Sequence, residues 1–124
     1  MKKDILIVTD NFEYRAIMEK YLSGSFDVKI TGSAEKTLSM LEEGFNPKLI
    51  ITEFSVSLPN GKRLIIKIKE NSKYVHIPIL VISGDENKIM RLDLIRTGTT
   101  GHIMNPFILT DLESRIKSLL NIAV

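Results

Sequence analysis

The 124-residue chain contains no cysteine and no tryptophan. Without cysteine, disulfides, thiol catalysis and thiolate metal sites are excluded. Aromatic residues make up only 6% of the chain, so the stacking platform that single-stranded nucleic acids need is poorly supplied. With only two histidines, a zinc site is not expected either.

The chain also lacks a large excess of charge of one sign, and it lacks long apolar runs. Seventeen basic residues stand against fifteen acidic ones, and a net charge of +2 is too weak and too evenly spread to predict a DNA-binding protein. No run approaches the ~18 apolar residues of a membrane span. The run at residues 5–8 is too short for a signal peptide. We therefore expect a soluble, cytoplasmic domain that contacts neither nucleic acid nor membrane directly.

Strand-like and helix-like segments alternate along the whole chain. Continuous apolar runs at 5–8, 49–51 and 79–82 are typical of strands buried on both faces, and weaker strands are predicted at 26–30 and 101–104. Helical patterns follow each strand, which favours parallel pairing with right-handed crossovers. The pattern predicts one α/β domain over residues 1–124, a doubly wound (βα)₅ fold.

Helix starts are marked by polar residues at capping positions. Asp10 with Glu13, and Thr110 with Glu113, form capping-box patterns at the first and last helices, and Ser33 is the predicted cap of the second. The apolar positions that define the predicted buried face of the first helix are Phe12, Ala16, Ile17 and Leu22. Those of the last helix are Leu112, Ile116, Leu119 and Leu120.

Ligands of doubly wound sheets bind at the carboxyl ends of the strands, so function is expected there. In this sequence those positions hold Thr9, Asp10, Glu53, Ser83 and Asn105. The chain has no nucleotide-binding glycine motif. A nucleophilic triad is not supported, because the serines at 33, 57 and 83 have no histidine partner at a recognisable spacing, and the histidine at 76 is predicted to lie on the surface.

The strand-end segments ILIVTDN, PKLIITEFSVSLPNG, PILVIS and MNPF, in that order, resemble the receiver domain of bacterial response regulators. The resemblance extends from residue 5 to about residue 120. It implies a flavodoxin-like fold with a five-stranded parallel sheet in the order 2-1-3-4-5. In that family, acids after the first strand help to bind Mg²⁺, an Asp after the third accepts a phosphoryl group, and a Ser or Thr after the fourth hydrogen-bonds it. A Lys after the fifth strand neutralises the group, and an aromatic residue in that strand changes rotamer.

Carried onto this sequence, the resemblance implies Glu53 at the phosphoacceptor position, Ser83 as the hydroxyl switch and Asn105 at the lysine position. It also implies His102 at the aromatic-switch position and Pro106 as the candidate for a cis peptide bond. Several of these residues differ from those of the family. We therefore expect a degenerate receiver of the pseudo-receiver type.

Asp10, Glu53 and a backbone carbonyl near Ser55 remain as Mg²⁺ ligands, and a weak site is expected because Thr9 replaces a carboxylate. The lost acid and the lost lysine compensate in net charge. They do not compensate in chemistry, because phosphoryl transfer depends on positioning and electrostatic stabilisation. Two interpretations of Glu53 stay open. It is a tolerated solvated acid, or its longer side chain occupies the phosphoryl position, accepts from Ser83, and holds one signalling state.

The predicted helix over residues 85–97 carries apolar residues on two sides, whereas a surface helix normally buries one stripe. The resemblance places Met90, Leu94 and Thr97 against the sheet. A partly exposed set would then form a partner surface, comprising Ile89, Leu92 and Ile95. With the fifth strand and the last helix, this surface is a candidate for homodimer formation.

The expected function is that of a receiver-like signalling domain in a two-component phosphorelay, not an enzyme. It would act by binding a protein partner or an attached output domain, with phosphoacceptor chemistry weakened or lost. One alternative is a phosphorylatable, Mg²⁺-dependent receiver that regulates an attached DNA-binding or diguanylate cyclase output. The other is a structural dimerisation module. Because no cap closes the last helix at 118–124, we expect the N-terminal part of a longer regulator.

Overall fold

The fold alternates strands and helices in a computed structural model that describes residues 2–53, 60–83, 99, 101–104 and 107–121, with backbone alone for 60–62. The strands are β1 (Lys3–Val8), β2 (Phe26–Thr31), β3 (Leu49–Glu53), β4 (Ile79–Ser83) and β5 (Gly101–Met104). The helices are α1 (Phe12–Leu22), α2 (Ala34–Glu42), α3 (Asn60–Glu70) and α4 (Leu109–Leu119).

The helix predicted over 85–97 lies outside the described residues. So do both of its apolar sets, which are Met90, Leu94 and Thr97, and Ile89, Leu92 and Ile95. The surface predicted there stays a prediction. Among the described ranges, no helix is long and apolar enough to cross a bilayer.

All five strands pair in parallel, in the order β2-β1-β3-β4-β5, which confirms the predicted sheet. The carboxyl ends of the strands therefore meet at one edge of the sheet. Val8 pairs with Thr52 between β1 and β3, and Val81 pairs with His102 between β4 and β5. These two registers decide which side chains meet at that edge.

Apolar side chains cover both faces of the sheet, because successive residues of a strand point to opposite sides. One face packs against α2 and α3, and its strand residues are Leu6, Val8, Ile50, Ile79 and Val81. The other packs against α1 and α4, and its strand residues are Ile5, Ile7, Phe26, Leu49, Ile51, Leu80, Ile82 and Ile103. Burial on both sides explains why the strand sequences are continuous apolar runs.

The predicted buried face of α1 is largely wrong. Phe12 is 82% exposed and Ile17 53% exposed, and Ala16 is exposed too, whereas Met18 and Leu22 are buried. The predicted cap is also one residue early. Asn11, not Asp10, is the N-cap, and its side chain accepts from the Tyr14 backbone N–H at 2.9 Å. Consecutive helical residues are about 100° apart, so a different choice of inward residue turns the whole face.

The start of α4 differs from its prediction in the same way. The helix begins at Leu109 after Ile108, which makes no side-chain cap bond, so Thr110 and Glu113 do not form a capping box. The predicted cap of α2 is confirmed, since Ser33 accepts from the Lys36 backbone N–H at 3.1 Å. The buried positions of α4, Leu112 and Ile116, also match the prediction.

Candidate functional site

Three predicted site residues meet at the carboxyl edge of the sheet. The pairing of Val8 with Thr52, continued by one residue, places Thr9 beside Glu53. Glu53 in turn pairs with Ile82, so it lies one residue below the level of Ser83 on the neighbouring strand. The sheet thus brings an acid and two hydroxyls to the ends of three adjacent strands.

Thr9 and Glu53 contact each other directly. The Thr9 side chain is buried, and its hydroxyl donates a hydrogen bond to the Glu53 carboxylate. The same hydroxyl accepts from the Asn11 backbone N–H at 3.1 Å, which fixes its orientation. The Glu53 carboxylate is therefore drawn toward β1, to the position where the family resemblance implies a second acid.

Burial and the nearby charge of Asp10 both raise the pKa of Glu53, while the hydrogen bond from Thr9 lowers it. Burial is the largest of the three effects, and the net direction is upward from the ordinary value of 4.5. The exposed Asp10 and the half-buried Glu53 are thus two neighbouring carboxylates. The negative charge on Glu53 is destabilised in the folded protein.

Replacing Glu53 with Gln should therefore increase stability at neutral pH. A carboxyl whose folded pKa is raised stabilises the fold below its unfolded pKa, and that contribution is lost as the pH rises through the folded value. Urea unfolding at pH 7 should show Glu53→Gln more stable than the wild type by less than about 1 kcal/mol, because a half-exposed charge is screened by water. Below pH 4.5 the difference should disappear. Glu70→Gln, on the exposed side of α3, controls for the loss of one negative charge; an equal gain there would contradict the assignment.

Ser83 has a histidine partner that the sequence analysis missed. Its Oγ lies 2.7 Å from the His102 Nε2, within hydrogen-bond distance. The register explains the contact, because Val81 pairs with His102 and Ser83 lies two residues further along the same face of β4. The pair is not an exposed nucleophile, since Ser83 is only 2% exposed. This contact could have been predicted from the parallel pairing of β4 with β5, but not from the spacing of the two residues along the chain.

The site connects to α4 and α1 through two further contacts. Arg115 of α4 donates from Nη1 to the His102 carbonyl oxygen at 2.8 Å. Phe107, just before α4, packs its ring against Tyr14 of α1, with centroids 5.4 Å apart and planes inclined by 59°. β5 is therefore tied to α4, and Phe107 is tied to α1.

The remaining predicted positions divide into two groups. His76 is exposed, as predicted. Ser55, Asn105 and Pro106 lie outside the described residues, so their assigned roles stay predictions. Within the described ranges, no group of three or more Asp, Glu, His or Cys residues is arranged to hold a metal. Asp10 and Glu53 carry carboxylate oxygens, which are the type of ligand that Mg²⁺ prefers.

A doubly wound parallel sheet with carboxylates at the ends of β1 and β3 and a hydroxyl at the end of β4 defines a class of regulatory α/β domain. The family model described as "Response regulator receiver domain" matches residues 5–117. The chain belongs to this family. Such domains regulate two-component signalling and generally bind Mg²⁺ at the phosphorylation site.

Similar proteins occur both as parts of large kinases and as single small domains. The chain is 27% identical over 120 residues to the sensor histidine kinase TmoS of Ectopseudomonas mendocina, covering 97% of this chain and 12% of that protein. It is 25% identical over 118 residues to the chemotaxis protein CheY1 of Helicobacter pylori, covering 94% of this chain and 95% of that protein. The chain thus spans only about a tenth of the kinase.

Solved structures agree on the fold. The chemotaxis response regulator CheY4 of Vibrio cholerae has a TM-score of 0.86 at 18% identity, with 97% of this chain and 100% of that chain covered. A response regulator receiver protein from Pseudomonas putida also has a TM-score of 0.86, at 24% identity, with 95% and 98% covered. The flavodoxin-like architecture is therefore shared along nearly the whole chain.

Proposed function

We propose that this receiver domain signals by binding a protein partner or an attached output domain, and that phosphoryl acceptance at Glu53 is weakened or lost. The observation that carries the proposal is the hydrogen bond from the Thr9 hydroxyl to the Glu53 carboxylate. A family acceptor must attack phosphorus with a carboxylate oxygen. Here the carboxylate is longer, drawn toward β1 and engaged by a donor.

The electrostatics of the site support the same proposal. Phosphoryl transfer needs stabilisation of the charge that spreads over the transferred group. Thr9 supplies a neutral oxygen where the resemblance implies an acid, and Asn105 replaces the lysine with a neutral amide. An amide donates hydrogen bonds but cannot neutralise a phosphoryl group. Each lost stabilising contact typically costs a factor of about 10²–10³ in rate.

The contacts also favour one interpretation of Glu53. Among the described residues, its carboxylate accepts from Thr9, while the Ser83 hydroxyl pairs with His102. A carboxylate standing in for a phosphoryl group would instead accept from Ser83. We therefore interpret Glu53 as a tolerated acid and not as a permanent imitation of the phosphorylated state.

Magnesium should bind weakly to the wild type, and Thr9→Asp should tighten binding by about tenfold or more, because ligand charge tunes the affinity for hard cations. Isothermal titration measures both affinities. Thr9→Asn is the matched control, since it adds an oxygen of similar reach without charge and should leave the affinity low. Equal affinity in the wild type and Thr9→Asp would contradict the proposed ligand set of Asp10 and Glu53.

The wild-type chain, incubated with a small acyl phosphate and Mg²⁺, should show no gain of a phosphoryl group by intact mass. A receiver domain with the full family set of residues serves as the positive control in the same buffer. Labelling of the wild type would instead support the alternative function, a Mg²⁺-dependent phosphorylatable receiver. Mapping the label to Glu53 would overturn the proposal as stated.

The relatives indicate the kind of partner that this domain binds. The curated relatives include two histidine kinases, in which the matched region is a small part of the protein. The candidate partners are a kinase, an attached output domain and a second copy of this chain. We propose that the predicted surface of Ile89, Leu92 and Ile95, with β5 and α4, binds the partner.

A further inference from the structure

The amino ends of the strands form a second edge of the sheet, opposite to the candidate site. They meet at one edge because the strands are all parallel. Lys3 is the first residue of β1, and Lys48 and Pro78 directly precede β3 and β4. A cavity of about 250 Å³ opens among these residues, and the end of α4 contributes to its lining.

The cavity combines an apolar lining with basic side chains. Its apolar lining residues in the described part of the chain are Pro47, Ile77, Pro78, Leu119 and Leu120. Its basic lining residues are Lys3, Lys48 and His76, and all three are exposed to solvent. A pocket with apolar walls and a few convergent polar groups is the usual form of a small-molecule site.

The charges around the cavity have one sign. Among the described lining residues there is no acid, and Asp4, which follows Lys3 in β1, does not line the cavity. Within the same ranges, no hydrogen bond or ion pair engages the side chain of Lys3, Lys48 or His76. The larger cavity between α2 and α3, of about 520 Å³, is different because Glu42 and Glu70 line it together with Lys67.

The backbone around the cavity is already fixed. Lys69 of α3 donates from Nζ to the carbonyl oxygens of Val75 at 3.2 Å and Ile77 at 2.9 Å, which holds the segment that carries His76. On the other side, the Lys48 backbone N–H donates to the Asp4 carbonyl oxygen at 2.8 Å. A ligand therefore has to order only side chains, which lowers the entropic cost of binding.

We propose that this cavity binds a small organic phosphate, a dianion attached to a compact apolar body. Lys3 and Lys48 supply two positive charges, which match the charge of about −1.5 to −2 on a phosphate monoester. His76 adds a ring N–H donor in either charge state. The apolar lining would cover the body of the ligand. The site lies at the opposite edge of the sheet from Glu53, so the inference does not depend on the proposed function.

Phenyl phosphate is the probe, because it joins a dianionic phosphate to a compact apolar ring. Titration of the wild type at about pH 7.5 should give a dissociation constant on the order of 1 mM, given the roughly 11 non-hydrogen atoms of the probe. Inorganic phosphate lacks the apolar body and benzoate lacks one charge. Each should therefore bind at least about fivefold more weakly.

Nuclear magnetic resonance spectra of the wild type locate the bound probe. Amide resonances of Lys48 and Ile77, and the imidazole resonances of His76, should shift in a saturable way as phenyl phosphate is added. Resonances of Thr9 and Glu53 should not move. Magnesium is left out, so that no metal links the probe to the carboxyl edge. Shifts centred on Thr9 and Glu53, or shifts that do not saturate, would overturn the proposal.

Neutral variants test the contribution of the charges. Lys48→Gln should weaken the binding of phenyl phosphate by about fivefold, and Lys3→Gln combined with Lys48→Gln by about twentyfold. Lys20→Gln is the matched control, because it removes the same charge from an exposed position in the last turn of α1 that does not line the cavity. It should change the affinity by less than about twofold, since distant exposed charges are screened.

An equal loss of affinity in Lys20→Gln and Lys48→Gln would show that the probe responds only to net charge. Unchanged affinity in the double variant would show that it binds elsewhere, and either result overturns the proposal. Benzoate binding as tightly as phenyl phosphate would contradict the preference for a dianion. Failure of the proposed function looks different, because it appears as labelling of the wild type at Glu53.

Discussion

The triple variant Thr9→Asp, Glu53→Asp and Asn105→Lys should take up one phosphoryl group from a small acyl phosphate in the presence of Mg²⁺, whereas the wild type takes up none. Replacing Thr9 removes the hydroxyl that engages the carboxylate at 53, the acid at 53 becomes the shorter family residue, and the new acid at 9 adds a charged metal ligand. The lysine neutralises the transferred group. Each restored contact is worth about 10²–10³ in rate, so the combined gain should be the largest of any substitution in this site.

Intact mass and time-resolved labelling measure the effect, and partial restorations separate its causes. Glu53→Asp alone should label at least about 10²-fold more slowly than the triple variant, because the metal ligand and the lysine are still missing. Replacing the acid at 53 by Asn in the restored chain removes the acceptor and should abolish labelling. A folded triple variant that stays unlabelled would show that the carried-over roles of these positions are wrong.

The sheet was predictable because its strands are buried on both faces. Continuous apolar runs such as 49–51 and 79–82 require cover on each side, and a doubly wound arrangement is the solution that places helices there. The strand order came from the resemblance, and it is confirmed. The strand ends were also predictable, since the predicted site residues Glu53 and Ser83 are the last residues of β3 and β4.

Side-chain partners at the edge were not predictable to the same degree. The contact between Ser83 and His102 depends on register, and a shift of one residue would move His102 to the other face of β5. The pairing of Thr9 with Glu53 has the same origin. Neither register is encoded in a local pattern, because it depends on how two distant segments pack together.

The buried face of α1 was predicted wrongly for a different reason. The predicted face combined Phe12, Ala16, Ile17 and Leu22, and of these the structure buries only Leu22. The prediction omitted Met18, whose flexible thioether side chain is fully buried in the core cluster with side chains of the sheet and α4. Cap residues could not settle the choice, because Asp10 and Asn11 are both good N-caps.

Met18→Ala should therefore destabilise the fold by about 2–5 kcal/mol, while Ile17→Ala should change stability by less than about 0.5 kcal/mol. Met18 is fully buried, so its truncation leaves a cavity, whereas Ile17 is 53% exposed and alanine is the better helix former. Urea unfolding of the two variants, with equal dependence on urea concentration, gives the comparison. The two substitutions sit on adjacent residues of one helix and differ mainly in burial. A larger loss from Ile17→Ala than from Met18→Ala would mean that α1 packs with the face predicted from the sequence, turned by about 100° from the one described.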